Sequence, residues 1–261
     1  MLVNMKILKK RKEISNKLSF RMNILITICA RGGSKGIPGK NIKLIGGKFL
    51  IGYSIDLAKK ISFGNEVKIA LSTDDSKIKK CAESFDLYTK YERPSYLATD
   101  EVGKIETIKD LLNYEENIAN KKYDYILDLD VTSPLRNLKD IEEAYSHIVK
   151  NRNALNLFSV NNAARSPYFN MVEKKSNGFY SLVKKLENNT ILTRQSTPKV
   201  YDLNASFYWY RREFFDLDIK SAITEKSLIY EMNHTCFDLD HEIDFLFMEY
   251  LIENKKLDFD L

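Results

Sequence analysis

From residue 23 onward the chain alternates short runs of β-branched and aliphatic residues with longer stretches in which apolar positions recur at helical spacing. A short contiguous apolar run has the length and character of a strand covered on both faces, whereas a 3.6-residue period marks an amphipathic helix. The pattern predicts strands over 24–29, 67–72, 125–130, 155–160 and 207–210, and helices over 50–61, 76–84, 104–119, 138–150 and 242–253. Such alternation predicts an α/β fold with a mostly parallel sheet flanked by helices. Ligands of sheets like this sit beyond the carboxyl ends of the strands. The loops after residues 29, 72, 130 and 160 are therefore the places to search. Residues 161–200 are less regular and are expected to form a projecting arm.

A chain of 261 residues with 44% hydrophobic content is long enough to bury one sizeable core, so residues 22–261 are read as a single domain. Charge refines the picture. The net +5 is concentrated in residues 1–21, which carry +6 and leave −1 for the rest. The body is nearly neutral, which argues against a nucleic-acid partner. The basic leader is expected to be disordered, with Met22 as an alternative start. Cys29, Cys81 and Cys236 form no close pair, so neither a disulfide framework nor a zinc site is expected, and a reducing cytoplasm is the expected location. The apolar run at 24–30 is too short to cross a bilayer, and no signal-peptide pattern precedes it.

The loop after the first strand reads Ala30-Arg31-Gly32-Gly33-Ser34-Lys35-Gly36-Ile37-Pro38-Gly39-Lys40-Asn41. Glycines let backbone amides turn inward at close range, and Arg31, Lys35 and Lys40 add positive charge, a combination suited to a polyphosphate. It is not a Walker A loop, because five residues separate Gly33 from Gly39 and Asn41 stands where Ser or Thr would hold magnesium. The G-x-G-x-x-G dinucleotide spacing is absent as well.

This loop resembles the signature of acylneuraminate cytidylyltransferases, the family of CMP-sialic acid synthetases and their legionaminic and pseudaminic relatives. Ser72-Thr73-Asp74, Arg93-Pro94 with Leu97-Ala98-Thr99-Asp100, Thr132-Ser133-Pro134-Leu135-Arg136, and Phe237-Asp238-Leu239-Asp240 extend the resemblance from about residue 23 to the C-terminus. It implies a Rossmann-like nucleotidyltransferase with a mixed sheet, acting as a homodimer on CTP and a nine-carbon sugar acid. Carried over residue by residue, it implies nucleotide binding by Arg31, Gly32, Gly33, Ser34, Lys35, Lys40, Asn41 and Arg93, with Lys35, Lys40 and Asp240 in catalysis. It implies sugar binding by Asp130, Thr132, Ser133, Arg194, Gln195, Asn204 and Tyr208, and a divalent metal, Mg2+ or similar, on Asp238 and Asp240. An extended segment would project those two aspartates on one face, although Asp240 also suits the N-cap of the last helix.

Two departures fall on the sugar side. Asp130-Val131 replaces a common Gln-Pro, and Asn204-Ala205-Ser206 replaces a common Asn-Gly-Ala. They favour a modified acid such as legionaminic acid over N-acetylneuraminic acid, with pseudaminic acid or the eight-carbon acid of lipopolysaccharide as alternatives. Asp130 is readable as metal ligand, base or turn carboxylate, and Tyr208 as sugar contact or core aromatic. Two rivals belong to other classes. Asp128-Leu129-Asp130-Val131-Thr132 also resembles the D-x-D-x-T nucleophile motif of haloacid dehalogenase phosphatases. A non-catalytic nucleotide sensor is the other rival, but it leaves the joint presence of phosphate-, carboxylate- and metal-binding groups unexplained.

Overall fold

The structure is a computed structural model that describes residues 21–33, 36–186 and 193–261. The leader at 1–20, together with Ser34 and Lys35, lies outside the described residues. The central sheet has six strands in the order β10-β6-β9-β5-β1-β4. Here β1 is Asn23–Cys29, β4 Glu66–Ser72, β5 Tyr125–Leu129, β6 Asn156–Asn162, β9 Tyr201–Arg211 and β10 Ser227–Glu231. Strand β1 pairs in parallel with β4 and β5, and β6 with β10, while β9 runs antiparallel between β5 and β6. The expected mostly parallel mixed sheet is the one observed. Its register aligns Cys29 with Ser72 and Thr27 with Asp128, so the loops leaving β1, β4 and β5 emerge side by side.

Alternation along β1 sorts its side chains to two covered faces. Ile24, Ile26 and Ile28 face a core shared with helix α1 (Leu50–Lys60), whereas Leu25 faces Ile108, Leu111 and Leu112 of helix α3 (Lys104–Ala119). Ile24, Leu25, Ile26, Ile28, Ile108, Leu111 and Leu112 are each at 0% exposure. Each such aliphatic side chain contributes about 1.5–3 kcal/mol of transfer free energy. Helix α2 (Ser76–Glu83) starts where the Asp75 carboxylate accepts the Lys77 amide at 2.6 Å. Helix α4 (Leu138–Lys150) starts with a reciprocal Asn137–Asp140 capping box. Helix α5 (Glu242–Glu253) follows the Asp238–Asp240 segment and packs on a small hairpin, β2 (Leu44–Ile45) and β3 (Lys48–Phe49). Gly46 and Gly47 close that hairpin with φ of 54° and 76°, the left-handed pair a two-residue turn demands.

Strand β9 is longer than the predicted 207–210 because a bulge carries it back to Tyr201. At the bulge Ala205 has φ 54°, a left-handed conformation that glycine adopts without penalty. The Asn-Ala-Ser sequence therefore holds here a backbone geometry for which Asn-Gly-Ala is better suited. The Asn204 side chain staples the bulge: its Oδ1 accepts from Ser159 Oγ at 2.6 Å, and its Nδ2 donates to Asn161 Oδ1 at 2.7 Å.

Within 161–200, β7 (Val172–Lys174) and β8 (Tyr180–Leu182) form a separate two-stranded sheet that leaves Val172, Phe179 and Tyr180 60–74% exposed. Among the described residues no helix is long and apolar enough to cross a membrane.

Candidate active site

A cavity of about 460 Å³ opens where the loops after β1 and β5 meet the segment at 93–102, the start of α3 and the segment before α5. Arg31, Lys40, Arg93 and Lys104 bring positive charge to its wall, and Asp100, Asp130 and Asp240 bring negative charge.

The glycine-rich loop is shaped by contacts at both ends. Asn41 is buried and its Nδ2 donates to the Arg31 carbonyl at 2.9 Å, tying the end of the loop to its beginning. The Gly32 amide donates to Asp74 Oδ1 at 3.0 Å, and a Cβ at Gly32 would lie 2.7 Å from Asp75 Oδ2. A Cβ at Gly36 would lie 2.9 Å from the Asp240 carbonyl, so this glycine permits a close backbone approach. The Lys40 ammonium donates to the Leu239 carbonyl at 2.8 Å and to Asp240 Oδ1 at 3.2 Å, across about two hundred residues of sequence. The Arg31 guanidinium pairs with Asp100 at 2.5 Å. Arg93 is buried, donating through Nε to Ser72 Oγ at 2.9 Å and through Nη2 to the Ser72 carbonyl at 2.8 Å. It is thereby a fixed cation rather than a solvated one.

Lys104 was not singled out by sequence reasoning, yet it sits at the centre of the buried charge. Its ammonium lies 2.6 Å from Asp128 Oδ2 and 2.5 Å from Asp130 Oδ2. Burial opposes its charge, but Asp128 and Asp130 outweigh burial and hold the ammonium well above the usual lysine range. Burial likewise opposes ionisation of Asp130, while Lys104 and the backbone and hydroxyl of Thr132 draw its carboxyl below the usual range. A signal for Lys104 did exist. It is the first residue of α3, which has no side-chain cap, and a lysine at a helix N-terminus works against the macrodipole unless a tertiary partner holds it. Nearby Cys29 is pushed up to about 12 by burial and then by Asp128, so it is a packed thiol and not a nucleophile.

Asp240, in contact with Lys40, does not cap α5. Asp244 Oδ2 takes the amides of Asp240 and His241 at 2.9 and 2.7 Å, which leaves the Asp240 carboxylate to Lys40 and the cavity. Asp238 Oδ1 is buried without a hydrogen-bond partner. Burial, with Asp130 and Asp240 nearby, raises its carboxyl to about 6 against the opposing influence of the Ser133 hydroxyl and Lys104. An orphaned buried oxygen among like charges is a position that a divalent cation relieves. Among the described residues no group of three or more His, Cys, Asp or Glu side chains is arranged to hold a metal. A pair of carboxylates fits Mg2+, which completes its octahedron from phosphate oxygens and water.

Residues 25–256 match the profile of a family described as Cytidylyltransferase. The chain belongs to the cytidylyltransferase family. It is 38% identical over 235 residues to the post-translational flagellin modification protein B of Campylobacter coli, covering 90% of this chain and 97% of that one. It is 39% identical over 235 residues to the CMP-N,N'-diacetyllegionaminic acid synthase of Campylobacter jejuni, with the same 90% and 97% coverage. A Legionella pneumophila protein of that latter name is 30% identical over 236 residues, covering 89% of this chain and 97% of its own. In fold, the chain is similar to a CMP:2-keto-3-deoxy-manno-octonic acid synthetase solved with CTP, at a TM-score of 0.63, 15% identity and coverage of 89% and 99%.

This cytidylyltransferase brings Arg31, Lys40, Asn41, Arg93, Asp130, Thr132 and Asp240 into one cavity wall. Other predicted residues lie elsewhere. Ser133 is fully buried, donating to the Asn204 carbonyl at 2.6 Å, and the Asn204 side chain is engaged in the bulge; both stand outside the lining of this cavity. Tyr208 also stands outside the lining; it is half-buried, stacks on Tyr210 and carries the Lys104 ammonium 5.9 Å from its ring centre. Gln195 is exposed on a short turn with Arg194 in the arm. Gly33 is exposed with open space around it. The phosphatase reading loses its nucleophile: Asp128 is 0% exposed, held by Thr27 Oγ1 at 2.8 Å and by Lys104.

Proposed function

We propose that the chain transfers CMP from CTP to the anomeric hydroxyl of a nonulosonic sugar acid of the legionaminic type, releasing pyrophosphate. The observation that carries this reading is the convergence of Arg31, Lys40, Arg93 and Asp240 on one cavity, with the orphaned buried oxygen of Asp238 two residues before Asp240. The hydroxyl oxygen attacks the α-phosphorus, the bond from that phosphorus to the bridging oxygen breaks, and the electron pair leaves with pyrophosphate. Such a reaction needs in-line positioning and neutralisation of charge on the leaving oxygens more than covalent participation by protein. Arg31 and Lys40 supply charge at the triphosphate, and Arg93, locked on Ser72, supplies a donor that needs no reorganisation. The uncapped N-terminus of α3 adds a positive dipole end. A divalent cation on Asp238 and Asp240 would supply further neutralisation at the phosphates.

The legionaminic assignment rests on the name shared by the relatives at 39% and 30% identity and on Asp130, which lines the cavity at a position where Gln is common. The test is pyrophosphate release from CTP with Mg2+, comparing N-acetylneuraminic, legionaminic and pseudaminic acids, with other nucleotides as controls. Release confined to CTP with a legionaminic-type acid is expected; no release with any acid from folded protein would sink the reading.

The same reading includes a homodimer. A two-stranded hairpin is marginal in water by itself, and β7–β8 exposes Val172, Phe179 and Tyr180. A second copy covering the arm accounts for both facts. Sedimentation velocity should give a dimer, and a fully active monomer would overturn it. Three free cysteines suit the cytoplasm, where CTP is supplied.

A further inference from the structure

We propose that Lys104 is a positioning residue and the resident cation of this pocket: it saturates Asp130 and so reserves divalent-metal binding to Asp238 and Asp240. The inference rests on the transferase reading for its purpose but on hydrogen bonding for its content. Apart from Asp100, which pairs with Arg31, the carboxylates at or near the cavity fall into two classes. Asp130 Oδ1 accepts the Thr132 amide at 2.7 Å and the Thr132 hydroxyl at 2.8 Å, while its Oδ2 meets Lys104 at 2.5 Å. Asp128 Oδ1 accepts the Thr27 hydroxyl at 2.8 Å, and its Oδ2 meets the same ammonium at 2.6 Å. Both oxygens of Asp130 are thus engaged, whereas Asp128 Oδ2 has the ammonium as an ion-pair partner but no hydrogen bond, and is sealed from the cavity at 0% exposure.

Asp238 and Asp240 are the opposite case. Asp238 Oδ1 is buried without a partner, and the Asp240 side chain is 64% exposed with one long contact, 3.2 Å, to Lys40. A metal entering between Asp128 and Asp130 would have to expel an ammonium held by two carboxylates, one of them at 0% exposure. A metal at Asp238 Oδ1 displaces no hydrogen-bond donor. The ammonium thus provides, within the covalent chain, the charge that a second metal ion would bring, and it pins the Asp130–Thr132 turn at the cavity wall.

The test counts metal without turnover. Mn2+ is titrated into the full chain with one equivalent of CTP and no sugar acid, and free Mn2+ is followed by electron paramagnetic resonance against CTP alone. Wild type should bind one Mn2+ per chain, and Asp130→Asn should leave that count unchanged. Asp238→Asn should weaken the single site by about tenfold or more. Lys104→Met should gain a second Mn2+ site and lose about tenfold or more in kcat with a smaller change in KM for CTP, and Lys104→Arg should restore the single count. Two Mn2+ bound to wild type, or loss of the single site in Asp130→Asn, would overturn the proposal. The wild-type and Asp130→Asn counts decide it even where Lys104→Met fails to fold. Absence of pyrophosphate release in the same wild-type sample would count against the transferase reading and would leave the metal count standing.

Discussion

Lys40→Met is expected to lower kcat/KM for pyrophosphate release by about a thousandfold while leaving the protein folded. The Lys40 stem is largely enclosed, its side chain being 14% exposed, and its Nζ is fixed between the Leu239 carbonyl at 2.8 Å and Asp240 Oδ1 at 3.2 Å. A cation fixed in advance beside the phosphates stabilises developing charge without first reorganising, which is where a single donor contributes most to rate. Methionine keeps the length of the stem and removes the charge. The structural loss is then the hydrogen bonds to the Leu239 carbonyl and to the exposed Asp240 carboxylate, about 2 kcal/mol together, which is a shift of several degrees in Tm for a chain of this size. Steady-state kinetics should place most of the loss in kcat, because an interaction made only in the transition state is invisible to ground-state binding. A drop of less than tenfold, in protein with an unchanged melting profile, would remove Lys40 from the catalytic machinery.

The contact that makes Lys40 important was the least legible part of the sequence. The helices were readable to within one residue at their ends, because apolar period and capping are local properties. The glycine-rich loop was readable for the same reason. Lys40 to Leu239 is a tertiary contact that no local pattern encodes; the resemblance placed Lys40 at the phosphates and Asp240 at the metal but did not pair them. Strand β10 escaped notice because all five residues of Ser-Leu-Ile-Tyr-Glu are of intermediate burial at the sheet edge and show no alternation. Lys104 escaped because its meaning depends on two aspartates that arrive from another strand. Ser133 and Asn204 were legible as motif members but not as buried ones: a polar residue's place in a motif does not reveal whether it faces a ligand or the bulge behind it.

Arg136 makes the same point with the second large effect. It ends the Thr-Ser-Pro-Leu-Arg element, which a sequence reading places at the ligand, yet it is 2% exposed and its guanidinium is directed into the protein. Nη1 donates to the Ser133 and Ser206 carbonyls, each at 2.7 Å, and Nη2 donates to Ser54 Oγ at 2.7 Å and to the Asp130 carbonyl at 2.9 Å. One side chain thereby ties α1, the loop after β5 and the bulge of β9 together. Burial lowers its pKa to about 10, against the opposing pull of Asp130, so it remains charged at neutral pH. The three carbonyls keep other donors, from Ser206 Oγ, the Asp130 amide and Ser54 Oγ, so removing the guanidinium does not orphan them outright. What is lost is a set of charge-assisted bonds at about 1.5–3 kcal/mol each before repacking, and Arg136→Met is expected to cost about 3 kcal/mol net. That is a large share of the 5–15 kcal/mol that holds a typical domain folded. Urea unfolding should show a lower midpoint with an unchanged slope, and Arg136→Lys should recover little, since an ammonium cannot reach four acceptors in one plane. At low temperature, where the variant remains folded, CTP binding should fall less than turnover, because the loop that loses its anchor carries Asp130 and Thr132 rather than Arg31 or Lys40. A variant with wild-type stability would show that the clamp is redundant and that the element's place at the end of β5 is secured by β9 alone.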